Sequence, residues 1–362
     1  MTVRGVPRVE IELAKIAHNA AMLVRRLSDR KISVTGVTKA TLGSPEIARV
    51  LLGAGVAGLG DSRIDNIETL RRAGITAPMM LIRSPMLSQL PRVVTHADMS
   101  CNTEPDVIAG LSAAAVACGR THGIVLMVEL GDRREGIMPS GLAEVARQTS
   151  SLPNIVLRGI GTNLACQSGV VPDADNMAEL SALATSIEET FGVALDIVSG
   201  GNSANLDWAL GDGERDRGPA VGRINHLRLG ESILLGCEPL HRRPIEGLHT
   251  DAFTLVAEVI ESGTKPSQPR GNLAEGAFGP PAAVRDRGDI RQAILAIGHQ
   301  DVDPSGLEPP PGVEILGASS DHLIITSDHD RLPVGSEVAF GLNYSALVRA
   351  MTSPFVAKSI NR

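Results

Sequence analysis

Apolar and polar positions along this chain alternate between two periods. Residues 8–12 alternate as in a half-buried strand, and apolar residues then recur at helical spacing over 13–30, at Ile16, Ala20, Leu23, Val24 and Leu27. Strand-like and helix-like runs follow each other from there. The predicted strands are 32–39, 57–61, 78–83, 98–102, 123–130, 155–161, 195–199 and 224–229. The helices between them include 45–54, 63–73, 104–119, 141–149 and 174–191. Strands alternating with helices imply a parallel sheet with right-handed crossovers. Eight such strands suit a (β/α)8 barrel of about 250 residues. An open doubly wound sheet is the alternative, but no GxGxxG opens a helix after the first strand.

The pattern changes after residue 236. Pro, Gly and Asp become frequent, and the long helical runs stop. Short apolar runs at 252–260, 292–297, 312–316, 322–326 and 337–341 predict a mostly antiparallel β-domain, with a last helix near 344–351. The predicted architecture is α/β: a TIM-like barrel over 12–236, followed by a β-rich C-terminal domain of 237–362 that also takes in residues 1–11.

Composition narrows the function. The chain has 362 residues, 43% of them hydrophobic, a formal net charge of −7 and only 2% aromatics. Few aromatics and no basic run argue against nucleic acid as a partner. No uncharged stretch is long enough to span a membrane, and the N-terminus lacks the apolar run of a signal peptide. Cys101, Cys118, Cys166 and Cys237 form no CxxC, as expected of reduced thiols in a cytoplasmic protein.

Candidate chemistry begins at Lys39. The chain has five lysines, and Lys39 alone is predicted to leave a strand at its C-terminal end, where parallel α/β folds keep their sites. A partly buried amine there can form a Schiff base, although a lysine snorkelling to solvent has the same signature. The turn Ser199-Gly200-Gly201-Asn202-Ser203 follows the seventh predicted barrel strand, and Gly230-Glu231 follows the eighth. Barrels commonly hold phosphate after these two strands, and glycines let backbone N–H groups approach an anion. A phosphate cradle facing a strand-end lysine points to pyridoxal 5′-phosphate. Arg228 then suits the pyridine nitrogen. An arginine does not give up its proton, so that nitrogen stays largely unprotonated and charge stays near Cα.

The stretches VTGVTKATLGSPEIARVLL, GLGDSRIDNIETLRRAGI, LMVELGDRREGI, GIGTNLACQSGVVP, IVSGGNS, INHLRLGESILLG and AILAIGHQDVDPSGL together resemble the alanine racemase superfamily of fold-type III pyridoxal-phosphate enzymes, closest to its ornithine racemase branch. The resemblance implies a cytoplasmic, homodimeric amino-acid racemase with shared active sites, acting on ornithine or a related basic amino acid. Lys39 corresponds to the Schiff-base lysine and one of two racemisation bases. Arg228 corresponds to the arginine at the pyridine nitrogen. Ser203 and the backbone of Gly230 and Glu231 match phosphate contacts, and Asn163 takes the place of a histidine beneath the ring. Arg134 matches an arginine near the cofactor phenolate and substrate carboxylate. Asp321 matches an aspartate brought by a partner subunit's β-domain.

Two departures stand out. The family's second base is a tyrosine, and the matching position here is Phe278, while the sole tyrosine is Tyr344. The phosphate-binding tyrosine after the lysine is also missing. His299, Asp301, Asp303, Asp321, His322 and Cys166 are the candidates for the second base, with His322 and His299 ahead. Asp301, Asp303 and Asp321 could also meet a cationic substrate side chain. The competing readings are an alanine, serine or broad-specificity racemase, a non-catalytic carrier of the cofactor, and a metal-using aldolase or dehydratase. His299, Asp301 and His322 do not make a clear metal site, so no metal is expected.

Overall fold

The computed structural model describes residues 5–211, 221–279, 285–328 and 332–361. The chain forms two compact units, one of residues 15–250 and one in which residues 1–14 join 251–362.

The chain enters through β1 (Arg8–Glu12) and α1 (Leu13–Ser28). The larger unit is then a closed parallel barrel of β2 (Ser33–Val37), β3 (Gly58–Asp61), β4 (Met79–Leu81), β5 (Met99–Asn102), β6 (His122–Met127), β7 (Ile155–Gly161), β8 (Ile197–Gly201) and β9 (His226–Leu229). β9 closes onto β2 with Thr35 opposite Arg228. The helices between strands are α2 (Pro45–Gly53), α3 (Ile64–Arg72), α4 (Leu90–His96), α5 (Pro105–Cys118), α6 (Pro139–Ser150), α7 (Ala174–Phe191) and α8 (Leu206–Leu210), with α9 (Glu231–Leu235) after the last strand. Their ends follow local rules. Pro45 opens α2 behind an Ser44 cap, and a reciprocal Asp173/Asn176 box starts α7. The barrel architecture and its following β-rich part match the expectation.

Three details differ from the sequence reading. The first barrel strand stops at Val37, because Thr41 bonds back to Thr38 and Lys39–Thr41 forms a 3₁₀ turn. β8 runs through Gly201, with a bulge between Ser199 and Gly201, so Asn202 and not the glycines makes the turn. The short helices α4, α8 and α9 were not anticipated; each holds too few residues to show a 3.6 period.

The smaller unit is a β-sheet of β10 (Phe253–Pro266), β11 (Asp289–Leu295), β12 (Leu307–Glu308), β13 (Val313–Ala318), β14 (Leu323–Ser327) and β15 (Glu337–Leu342) in the order β12-β15-β10-β11-β14-β13. The helix α10 (Tyr344–Thr352) and a last strand, β16 (Ala357–Asn361), complete it. β1 pairs antiparallel with β10 and parallel with β16. Phe253, Leu255, Leu295, Leu323, Ile325 and Phe340 form its buried core. Arg8 reaches from β1 to both carboxylate oxygens of Glu337 on β15, at 2.6 and 2.9 Å.

Candidate active site

The barrel strands bring one group of predicted residues to a common rim. Behind β2, the Thr38 hydroxyl donates to buried Asp61 at 2.7 Å, and Asp61 also accepts from the Arg63 N–H and Asn66. Burial pushes the Asp61 carboxyl up, and these donors oppose the shift. The lock pins the residue before Lys39. Lys39 itself opens the 3₁₀ turn with its side chain exposed, not partly buried as expected, because the turn lifts it off the strand.

On the adjacent strand β9, Arg228 is buried and held by neutral oxygens. Nη1 donates to Ser199 Oγ, and Nη2 donates to the Thr162 carbonyl at 2.7 Å and to Asn163 Oδ1 at 3.4 Å. Ser199 Oγ also meets His226 Nδ1 at 2.9 Å, and His226 Nε2 lies 2.8 Å from Thr35 Oγ1. Burial, with Arg228 alongside, pushes the His226 imidazole down to about 3, so it is neutral at ordinary pH. Ser199 therefore holds the arginine and faces the barrel interior. The approach depends on Gly161, where an added Cβ would come within 3.0 Å of Ser199 Cβ.

Beside Arg228, the end of β8 meets the start of α9. Asn202 accepts the Ala204 N–H and starts the turn at Ser203. Ser203 Oγ lies 3.0 Å from Ser232 Oγ and accepts the Ser232 N–H at 3.2 Å. Two helix starts, each with N–H groups and a hydroxyl, are thus tied together, which suits an anion. Gly201 has φ +143°, and a Cβ there would sit 2.2 Å from Asn205 Oδ1. Gly230 caps α9 and Glu231 begins it. Burial pushes the Glu231 carboxyl up, against the pull of Arg242 and Lys39. Ser232 was missed in the sequence; a hydroxyl just after Gly230-Glu231 was its available signal.

Asn163 connects the two regions. Its Oδ1 accepts from Asn202 Nδ2 at 3.1 Å, while its own Nδ2 is buried with no partner among the described residues. An unsatisfied buried donor is costly unless a ligand acceptor meets it. After β6, Glu129 accepts the N–H groups of Gly131, Arg133 and Arg134, and Arg134 pairs with Glu135 at 2.8 Å.

Cys166 is exposed on the loop after β7, and the other predicted residues lie in the smaller unit. His299 N–H donates to the Ser319 carbonyl, and Ser319 N–H to the His322 carbonyl, which brings the 298–301 and 319–322 loops together. His322 Nδ1 is 2.8 Å from Asp321 Oδ1. The Phe278 ring stacks on His299, with centroids 4.1 Å apart and planes at 26°. Asp301 is buried and accepts from Ser353 at 2.7 Å. Asp303 accepts from Ser305 and Ser345, and these hydroxyls hold its carboxyl below the usual range. Both aspartates are thus engaged in internal bonds. Among the described residues, no three His, Cys, Asp or Glu side chains group as metal ligands, and no helix is long and apolar enough to cross a membrane.

Residues 11–236 match the family described as alanine racemase, N-terminal domain. The chain belongs to this family. Two relatives extend the match through the smaller unit. Lysine racemase of Thermotoga maritima is 41% identical over 97% of this chain and 98% of its own. Ornithine racemase of Acetoanaerobium sticklandii is 36% identical over 98% and 99%. Among solved structures, alanine racemase of Streptomyces lavendulae superposes with a TM-score of 0.75 at 19% identity, covering 99% of this chain and 98% of that one. At that identity the likeness to this alanine racemase concerns the fold.

Proposed function

We propose that this alanine racemase family member is a pyridoxal-phosphate-dependent amino-acid racemase whose preferred substrates are ornithine, lysine or related basic amino acids. The observation that carries the reading is Arg228, a buried cation held, among the described residues, only by neutral groups on the same rim as Lys39. The residues present fit the cofactor. Lys39 would engage its aldehyde, Ser203 with the Gly230–Ser232 helix start its phosphate, and Arg228 its pyridine nitrogen. Asn163 Nδ2, a buried donor with no partner, would gain an acceptor. When bound, the cofactor supplies a conjugated ring that takes up charge released at Cα.

The chain's own residues do the rest. Arg228, which keeps its proton, would hold the cofactor's pyridine nitrogen without protonating it, an arrangement that favours proton return at Cα. Lys39 Nζ carries the proton on one face of Cα. The far face needs a second carrier, and Phe278 has no proton to give. His299, stacked on Phe278, and His322, oriented by Asp321, are the groups for that role. In this reading the protein is a homodimer, each smaller unit completing the partner's site. Asp321, exposed beside His322, is then an acidic group for the substrate side chain, since Asp301 is buried against Ser353 and Asp303 is held by two hydroxyls. Arg134 serves the substrate carboxylate. The names of the two full-length relatives support the basic substrate.

The deciding experiment is chirality-resolved turnover of ornithine, lysine, alanine and serine with added pyridoxal phosphate. Diamino acids should turn over fastest. Faster turnover of alanine overturns the substrate class, and absence of α-proton exchange with every amino acid overturns the racemase reading.

A further inference from the structure

Asp132 lies on the loop after β6, is 1% exposed and has no arginine or lysine paired with it among the described residues. Its carboxylate is spent on the neighbouring loop, the one after β7. Oδ2 accepts the N–H groups of Cys166 at 3.3 Å and Gln167 at 3.0 Å, and Oδ1 accepts that of Ser168 at 3.0 Å. The Ser168 hydroxyl returns the contact to the Asp132 carbonyl at 2.8 Å. A buried carboxylate that takes three successive backbone donors fixes that segment's path. The segment needs fixing, because Ala165 has φ +60° without being glycine.

The fixed loop reaches the rim through Asn202. Asn202 Nδ2 donates to the Leu164 carbonyl at 2.9 Å and to Cys166 Sγ at 3.4 Å, both on the latched loop, and also to Asn163 Oδ1. Asn202 Oδ1 in turn caps the turn that begins at Ser203. A continuous bonded path therefore runs from Asp132 to the loop, to Asn202, and on to Asn163 and Ser203. Resting on the cofactor reading above, we infer that Asp132 is a positioning residue for the cofactor cradle: its carboxylate latches the β7 loop and so sets Asn202 and, through it, the Asn163 side chain.

Asparagine at 132 keeps the size but turns one acceptor into a donor, which then faces a backbone N–H. The test is a titration of pyridoxal phosphate onto the cofactor-stripped full chain, followed by absorbance, for wild type, Asp132→Asn, Asn202→Ala and the double variant. Loss of the latch should weaken cofactor binding about tenfold, the effect of one or two hydrogen bonds. The double variant should bind no more than about twofold more weakly than the weaker single one, since both act on one path. A role confined to stability would lower the urea midpoint and leave cofactor affinity at the wild-type level. Multiplicative losses, or an Asp132→Asn protein that binds as wild type, overturn the inference alone. A wild type that does not bind pyridoxal phosphate overturns the cofactor reading and the inference with it. If Asp132→Asn does not fold, Ser168→Ala takes its place in the cycle. It should weaken binding about twofold to threefold by losing one hydrogen bond, again non-multiplicatively with Asn202→Ala, and wild-type binding by it overturns the inference.

Discussion

The two sides of the barrel interior are built from opposite materials. On β2, β8 and β9, Thr35, Ser199, His226 and Arg228 form a bonded polar chain. Around β4, β5 and β6, Met80, Cys101, Val125 and Met127 pack together, joined by Ile82, Met99 and, from the base of β8, Ile197. The polar side aims one cation at the rim and spends neutral groups on holding it. The residues of this cluster carry no charge, and burial pushes the Cys101 thiol up despite the pull of Arg228. An apolar wall opposite a fixed cation lowers the local dielectric and strengthens the cation's field. One side supplies direction and the other supplies the medium.

Breaking the rim above both sides has the largest expected effect. Lys39→Ala should lower racemisation by about 10³-fold or more, the scale of lost acid–base and nucleophilic groups. The visible absorbance of lysine-bound cofactor should vanish with it, and unchanged absorbance would remove Lys39 from the site. Next comes the polar side. Arg228→Gln should cut kcat by about 10²-fold, as when a preorganised charge is removed. It should also destabilise the barrel by about 1–3 kcal/mol by leaving Ser199 and the Thr162 carbonyl short of a donor.

The sulfur-rich side should respond differently. Met127→Ala should cost about 3 kcal/mol in urea unfolding through the cavity it leaves, while cofactor affinity stays near wild type. A Met127→Ala protein that loses affinity and keeps stability would reverse the assignment of the two sides.

The smallest effect is on pH dependence. His226 and His122 titrate at about 3 and about 4 in the folded chain, both lowered by burial. The unfolded chain, with histidines near 6.5, binds more protons between these values and about pH 6.5. Their stability contribution is therefore complete above about pH 6.5 and is lost as pH falls toward 4 and then 3, by up to about 1.4 kcal/mol per pH unit for each histidine. His226→Gln should flatten the slope seen in urea midpoints measured from pH 7 to 5. An unchanged slope would show that His226 is not buried neutral.

Much of the barrel was legible in the chain because buried parallel strands are short apolar runs between amphipathic helices, and such runs read from sequence alone. Arg228 and the Ser203 turn were legible because they sit at strand ends of known order. Other features left no local mark. β16 reads Ala-Lys-Ser-Ile-Asn and becomes a strand by pairing with β1, at the other end of the chain. Asp132 in GDRREG looks like one more loop charge, and its three donors come from 34 to 36 residues away. Ser199, read as part of the glycine turn, faces inward because the β8 bulge carries the strand on to Gly201.

By itself, then, the sequence determined the alternation of strands and helices, the order of the barrel strands, and which residue types stand at their ends. Those depend on local periodicity and backbone preference, which each segment carries within itself. Only the tertiary structure decided that Ser199 holds Arg228, that Ser232 joins Ser203, that Phe278 lies on His299 and that Asp132 latches the β7 loop. Each is a contact between segments far apart in the chain, and its energy exists only once folding has brought both partners out of water.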